Sequence, residues 1–154
     1  MIDKFIIQFT RRKILNEKDL LIVNDKYFLV SEKIRETINI IKREPHLAGL
    51  YLGRQRGNQF FPSVALLAIL HPFAENIITL NDDAAFLFIC GRDIYAPSIL
   101  KMDGRCAESS IVILQNKNKE LLGFGKRAHP ITSQQPVVEN IFDIGDFLRR
   151  ENKR

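Results

Sequence analysis

The residue types that most often carry enzyme chemistry occur here in contexts that argue against catalysis. The three histidines, His46, His71 and His129, each stand beside a proline, which is typical of turns rather than of a packed catalytic cluster. The sequence contains no HExxH, GxSxG or GxxxxGK[ST] motif, so the commonest signatures of zinc hydrolases, serine hydrolases and NTPases are missing. We therefore expect a protein that is not an enzyme.

The cysteines and the paired carboxylates have simpler explanations than a chemical site. Cys90 and Cys106 have no CxxC partner, so we expect reduced core thiols, no metal site and no cofactor. The carboxylate pairs at residues 82–83 and at residues 143 and 146 could act in acid–base chemistry, but helix capping and a solvated junction explain both. The Gly-Phe-Gly run at residues 123–125 opens no helix, so we interpret its glycines as structural rather than dinucleotide-binding.

Basic side chains near aromatic and glycine residues are the remaining candidates for function. Single-stranded RNA is held by cations that neutralise phosphates and by planar groups on which bases stack. The chain has 23 Lys and Arg against 18 Asp and Glu, a net charge of +5, which favours an anionic partner. The candidate RNA-binding residues all lie in the second half and are Arg92, Lys101, Arg105, Lys126, Arg127, Arg149, Arg150, Lys153 and Arg154.

These candidates need elements to position them, and a length of 154 residues allows one domain or two small ones. In the first half, the pattern of apolar and turn residues predicts a helix at the start of the chain, a hairpin over residues 20–30 and a helix that ends before Pro45. The pattern then predicts a strand, a turn over residues 53–58 and a buried helix over residues 64–70. That last segment is the longest apolar run and is too short to cross a bilayer. We expect the cations of this half, Arg54 and Arg56 among them, to be scattered and without aromatic neighbours.

The second half changes character after a junction at residues 81–83. Runs at residues 86–90, 110–115, 121–124 and 137–142 are β-branched or aromatic and predict strands, with a polar hairpin turn at residues 116–119. The glycines at 91, 104, 123 and 125 are expected at the sharp corners of a small barrel. We therefore predict an α+β protein with domains at residues 1–80 and 81–154.

The same residues resemble a known module and a known family. The segments at residues 86–101, 111–114 and 121–128 are similar to a PUA domain, a small RNA-binding pseudobarrel. Segments at residues 27–34, 66–74 and 143–149, in this order, are similar to the nuclear import protein seven family of large-subunit ribosome assembly factors. The match runs from Tyr27 to Arg150, and residues 1–26 and 129–136 take no part in it.

This resemblance implies an architecture and a function. It implies a mixed α/β domain over residues 1–80 that docks other assembly-factor proteins. It also implies a PUA pseudobarrel over residues 81–154 that binds ribosomal RNA, or a precursor particle of the large subunit, during pre-rRNA processing. The chain looks like a compact archaeal member of that family. We therefore expect a cytoplasmic monomer that does not bind a membrane, or a nuclear or nucleolar monomer if the protein is eukaryotic. Two alternatives stay open: a protein-only adaptor, favoured by the small net charge of residues 81–154, and an accessory subunit of an RNA-modifying enzyme.

The dense basic cluster at the C-terminus is the first candidate site for RNA. Because such a cluster is cheap to desolvate, we expect replacement of Arg149, Arg150, Lys153 and Arg154 by alanine to weaken RNA binding with little change in thermal stability. We also expect residues 81–154 alone to retain most of the RNA affinity, because the basic groups with aromatic and glycine neighbours lie there.

Overall fold

The computed structural model describes residues 1–41, 43, 45–146 and 149, and the chain forms two compact units. The first unit comprises residues 1–7 and 11–70, and the second comprises residues 8–10 and 71–154. This division lies ten residues before the predicted one, because residues 77–80 form a strand inside the sheet of the second unit. No helix in the described part of the chain is long and apolar enough to cross a membrane.

The first unit is built around a four-stranded antiparallel sheet. Its elements are α1 (Ile2–Ile6), β1 (Leu20–Val23), β2 (Lys26–Leu29), α2 (Glu32–Ile41), β3 (Leu50–Arg56), β4 (Gln59–Pro62) and α3 (Val64–Leu70). The sheet order is β1-β2-β3-β4, so each strand pairs with its neighbour in sequence. Asn24 and Asp25 join β1 to β2 with φ angles of 48° and 62°, the left-handed geometry of a two-residue hairpin turn. The predicted hairpin is confirmed.

Helix α2 covers only part of one face of this sheet. Phe28, Val30 and Ala48 are buried there, and Ile34 and Ile38 of α2 pack against them. These two isoleucines lie four residues apart and therefore share one face of the helix. Tyr51 of β3 packs against the same core.

Two expectations for the first unit are wrong. The turn predicted at residues 53–58 is strand as far as Arg56, and only Gly57 and Asn58 turn the chain. Gly53 marks a close approach instead of a turn, because it has a φ of +142° and an added Cβ would collide with the carbonyl oxygen of Phe61. Helix α3 is not buried on every side either, since Val64 is 43% exposed.

The second unit is built around a five-stranded mixed sheet. Its elements are β5 (Ile77–Leu80), α4 (Asp82–Ile89), β6 (Ile99–Asp103), β7 (Ile111–Asn116), β8 (Leu121–Arg127) and β9 (Val138–Asp143). The sheet order is β6-β5-β7-β8-β9, with β5 parallel to β7 and the other neighbours antiparallel. The predicted hairpin between the strands now labelled β7 and β8 is confirmed, whereas β5 and β6 were not predicted.

Residues 86–90, predicted as a strand, instead belong to helix α4 and its C-terminal end. Asn81 caps this helix by accepting a hydrogen bond from the backbone N–H of Ala84, and two aspartates in the first turn complement the helix dipole. A short apolar run fits a buried helix as well as a buried strand, so the capping residues decided the outcome. Cys90, at the end of this helix, is exposed and Cys106 is half-buried, so the expectation of two core thiols is wrong for Cys90.

Candidate nucleic-acid interface

One end of the sheet in the second unit collects several of the predicted basic residues. Strands β5 and β7 begin at this end, and the antiparallel strands β6 and β8 finish there. Ile94 bridges Val138 at the start of β9, so the loop that carries Arg92 reaches this end, while Gly91 at the start of the loop lies against the side chain of Arg149. We call this region the arginine end, defined by Arg92, Arg105, Lys126 and Arg127.

The loop between β6 and β7 completes the arginine end. Its residue Ser109 donates a backbone hydrogen bond to the carbonyl oxygen of Arg127, the last residue of β8. Arg105 lies in this loop, and Lys126 lies next to Arg127 on the strand. The fold therefore places three of the nine predicted residues, Arg105, Lys126 and Arg127, at one end of the sheet, and Arg92 in a loop that reaches this end.

Three side chains of the arginine end are free to meet an anion. Arg92, Arg105 and Lys126 are exposed, and none forms an ion pair with any residue in the described ranges. The region also carries negative charge: Glu139 is the register partner of Lys126 across β8 and β9. Exposed cations of this kind can neutralise RNA phosphates with little desolvation cost.

Arg127 does not belong to this exposed set. Its side chain is buried at 6% exposure, it donates to the carbonyl oxygen of Val137 at 3.4 Å, and its Nε has no hydrogen-bond partner among the described residues. Burial raises the pKa of the nearby Cys106 thiol, and the charge of Arg127 partly opposes that rise. The prediction that Arg127 contacts RNA at the surface is therefore contradicted by its burial.

Lys101 is placed differently from the other candidates. It lies on the edge strand β6 and forms an ion pair with Asp103. At the end of the sheet opposite the arginine end, Lys117 forms a similar ion pair with Asp82. A phosphate would have to compete with these carboxylates, so both lysines are weaker candidates than the unpaired cations.

Arg149 is held in a polar network. Its guanidinium donates to both carboxylate oxygens of Asp143, at 2.8 and 2.7 Å, and to the carbonyl oxygen of Ile89. Asp143 is 2% exposed, so the pair is a bidentate, charge-assisted contact with a buried acid. The hydrogen bond to Asp143 raises the pKa of Arg149, and burial partly opposes that rise. These contacts argue against the expectation that Arg149 can be replaced with little loss of stability.

The same network closes the C-terminal end of helix α4. The side-chain amide of Asn140 donates to the carbonyl oxygen of Phe88 at 2.8 Å, and Arg149 donates to that of Ile89. Terminal carbonyls of a helix lack partners within it, and a cation there also complements the helix dipole. The sequence analysis missed Asn140 and interpreted Asp143 as a helix cap, because the network they form with helix α4 and Arg149 depends on contacts that are distant in sequence.

The remaining predicted residues, Arg150, Lys153 and Arg154, lie outside the described residues, and their role stays a prediction. Within the described ranges, no group of three or more His, Cys, Asp or Glu side chains is placed to hold a metal ion. What the described residues offer is therefore a surface with exposed cations.

The second unit matches a known protein family. Residues 76–152 match the model described as the UPF0113 PUA domain. A UPF0113 protein from Archaeoglobus fulgidus is 31% identical over 113 residues. That alignment covers 70% of this chain and 64% of the relative, so the chain spans less than two thirds of the length of its curated relative.

Solved structures of archaeal proteins share the fold. The chain is similar to a conserved PUA domain protein from Thermoplasma acidophilum, with a TM-score of 0.60 and 16% identity over 97% of this chain and 93% of that one. A PUA domain from Aeropyrum pernix gives a TM-score of 0.62 and 11% identity over 99% and 86% of the two chains. A hypothetical protein from Pyrococcus horikoshii gives 0.60 and 17% over 97% and 93%. At these identities the likeness shows the fold alone.

Proposed function

The chain belongs to the UPF0113 family, and from this membership we propose that it is a non-enzymatic RNA-binding factor in the assembly of the large ribosomal subunit. PUA domains are in general RNA-binding modules, and residues 76–152 form one. The observation that carries the proposal is the arginine end, where Arg92, Arg105 and Lys126 are exposed and unpaired within the described ranges. The order of segments that resembles the nuclear import protein seven family supports the ribosomal role.

RNA is bound in this proposal mainly through its backbone. The planar guanidinium groups of Arg92 and Arg105 can each take two oxygens of one phosphate, whereas Lys126 acts as a point charge. Tyr95 follows Arg92 in the same loop and is 49% exposed, so it offers a ring for base stacking. In the proposal, Arg150, Lys153 and Arg154 extend this surface.

The first unit has a separate part in the proposal. Ile40, Ile41 and Leu47, at and beyond the end of α2, are 79%, 57% and 74% exposed. Exposed apolar clusters on a small protein are typical of protein-docking surfaces. We propose that other assembly-factor proteins dock here, and that the chain works as a cytoplasmic monomer, or in the nucleolus if it is eukaryotic.

A salt titration of RNA binding tests the proposal. The full chain is titrated with a labelled single-stranded RNA between 50 and 200 mM salt, and the three phosphates neutralised at the arginine end contribute about −2 to the slope of log affinity against log salt. If the C-terminal cations bring the number of phosphates neutralised by the second unit to four or five, this contribution steepens to about −3. The double variant Arg92→Gln/Arg105→Gln should make the slope less negative by about 1.4.

The matched control removes the same charge from cations that are already paired. Lys101→Gln/Lys117→Gln should leave the slope close to that of the unmodified chain. If both double variants behave alike, the arginine end is not the site. Sedimentation of the tagged chain through a sucrose gradient tests the ribosomal role: large-subunit rRNA precursors should accompany the protein, and a protein that stays at the top of the gradient would contradict that role.

A second function is favoured by one specific observation. Residues 71–154 carry 11 basic and 11 acidic groups, so the second unit has no surplus charge with which to attract RNA from a distance. A protein-only adaptor would have this property. An absence of RNA binding even at 50 mM salt would select the adaptor over the RNA-binding factor.

A further inference from the structure

One face of the sheet in the first unit is basic and partly uncovered. Lys26 on β2, Arg54 on β3 and Phe61 on β4 are consecutive register partners across three strands. Side chains of register partners lie side by side on the same face of a sheet. Arg56, two residues further along β3, lies on this face as well.

Tyr51 joins the same face because of a bulge. The register of β2 and β3 shifts so that Phe28 pairs with Tyr51 and Lys26 pairs with Arg54, and residues two apart on β2 share a face. The rings of Phe28 and Tyr51 lie 5.6 Å apart. Lys26, Tyr51, Arg54, Arg56 and Phe61 together are the basic sheet face.

The charges of the basic sheet face act on its aromatic neighbour. Burial raises the pKa of Tyr51, and the positive charges of Arg54 and then Arg56 partly oppose that rise. Arg54 is also the register partner of Phe61 across β3 and β4. This placement corrects the expectation that the arginines of the first half have no aromatic neighbours.

The basic sheet face is available to a partner. Phe61 is 44% exposed, Lys26 and Arg56 are exposed, and Arg54 is half-buried. These three cations make no ion pair with any residue in the part of the chain that the structure describes. The other face of the sheet, in contrast, packs its aromatic rings together, with Tyr27 and Phe60 in edge contact at 5.3 Å.

The charge surplus of the protein lies in the same unit. Residues 1–70 carry 12 basic and 7 acidic groups, a surplus of five, whereas residues 71–154 carry 11 of each. The surplus of the first segment therefore equals the net charge of the whole chain. Because long-range attraction follows the local excess of charge, a polyanion is drawn to the first unit more than to the second.

We propose that the basic sheet face is a second binding surface for single-stranded RNA, with phosphates on Lys26, Arg54 and Arg56 and a base stacked on Phe61. Aromatic side chains on the face of a small sheet stack bases in RNA-binding modules, and neighbouring cations track the backbone. An acidic protein segment would pair with the three cations, but it would not contact the exposed ring of Phe61 through stacking as a base does. The surface lies outside the PUA domain and is separate from the arginine end.

A tryptophan probe tests the stacking step. The sequence contains no tryptophan, so Phe61→Trp places a single indole on the basic sheet face of the full chain. Adding a 12-nucleotide single-stranded RNA should quench its fluorescence in a saturable way, because a stacked base quenches indole emission. Phe86→Trp is the matched control, since residue 86 is 64% exposed on helix α4 of the second unit, and it should show little quenching.

Inorganic polyphosphate separates stacking from simple charge attraction. It carries phosphates without bases, so it should compete with RNA at low salt but should not quench the indole of Phe61→Trp. If polyphosphate quenches as strongly as RNA, the surface is a general docking site for acidic molecules and the RNA proposal is overturned. An indole that RNA leaves unquenched overturns it too.

Binding measurements on the full chain test the cations and the ring separately. Arg54→Gln/Arg56→Gln should make the salt slope less negative by about 1.4, and Phe61→Leu should weaken binding about tenfold with an unchanged slope. Lys18→Gln/Lys33→Gln removes the same charge from the first unit outside the strands that form the basic sheet face and should leave the slope nearly unchanged. If the two double variants give equal slopes, the proposal is overturned. If the half-buried Arg54 is needed for folding, Arg56→Gln alone, at an exposed position, replaces the double variant in this measurement.

The two RNA proposals fail independently. In the Arg92→Gln/Arg105→Gln background, the indole of Phe61→Trp should still be quenched by RNA, because the basic sheet face does not use the arginine end. If Arg92→Gln/Arg105→Gln leaves the RNA affinity unchanged and the indole is still quenched, the arginine end is refuted as a binding site and the basic sheet face is not. Loss of quenching in that background would show that the basic sheet face has no binding of its own.

Discussion

The two units use their charged side chains differently. In the first unit, Lys26, Arg54 and Arg56 share one face of a sheet and have no carboxylate partner in the described ranges, whereas in the second unit Arg149 and Lys101 are tied to acids. The family model matches residues 76–152 of the second unit, yet the charge surplus of five lies in residues 1–70. Recognition of this module therefore leads to the free cations of the arginine end and not to those of the first unit.

The two units also differ in how their sheets are connected. Each strand of the first unit pairs with its neighbour in sequence, whereas in the second unit β5 pairs in parallel with β7, more than thirty residues away. Local pairings need little loop closure, and distant ones depend on intact segments far apart in the chain. We therefore expect the second unit to be the more sensitive to truncation.

The largest expected effect is the loss of the second unit when β5, an interior strand of its sheet, is removed. A fragment that begins at Asn81 lacks β5, so β6 and β7 lose their shared partner and the backbone groups of both strands are left unpaired. We expect this fragment to be unfolded by circular dichroism. A fragment that begins at His71 keeps all five strands and is the matched control. A cooperative thermal transition of the shorter fragment would contradict the division of the chain at residue 70.

A smaller effect distinguishes structural from free arginines. Arg149→Ala leaves the buried Asp143 carboxylate without its charged partner, so we expect a loss of about 2 kcal/mol in the free energy of unfolding. Arg56→Ala in the first unit should change it by less than about 0.5 kcal/mol, because that side chain is exposed and unpaired within the described ranges. Urea denaturation measures both. Equal losses for the two variants would remove the contrast between the units.

The smallest expected effect concerns attraction to a polyanion without specific binding. The variant Arg54→Gln/Arg56→Gln should leave a heparin column at lower salt than the unmodified chain. Lys101→Gln/Lys117→Gln should shift the elution less, because each of those lysines already faces an aspartate. If the second variant shifts the elution as far as the first, free and paired cations contribute alike and the comparison of the units loses its electrostatic basis.

Local features of the fold were predictable from the sequence. The Asn-Asp turn after β1 and the polar turn between β7 and β8 carry residue types that favour reversal of the chain, and both hairpins are present. The helix over residues 32–41 followed from a capping serine and an apolar face. The PUA domain was recognisable because its segments keep their order along the chain.

Features that depend on contacts between distant residues were not predictable. The run at residues 86–90 was assigned to the wrong element because its apolar side chains suit either type of structure. The strand β5 is not predicted because four residues carry too weak a pattern, although it is an interior strand of the sheet. Arg127 is a candidate by composition, and only the burial of its side chain in the folded unit removes it from the surface.

The positive charge in the sequence predicts an anionic partner, and the turns, caps and ordered family segments predict the class of fold. Only the tertiary structure decided which cations are free. Arg149 is neutralised by an acid six residues away that becomes buried on folding, and Arg54 meets Phe61 only because β3 and β4 pair in one particular register. Ion pairs and shared sheet faces are set by strand register and burial, so a side chain's type and local neighbours cannot specify them.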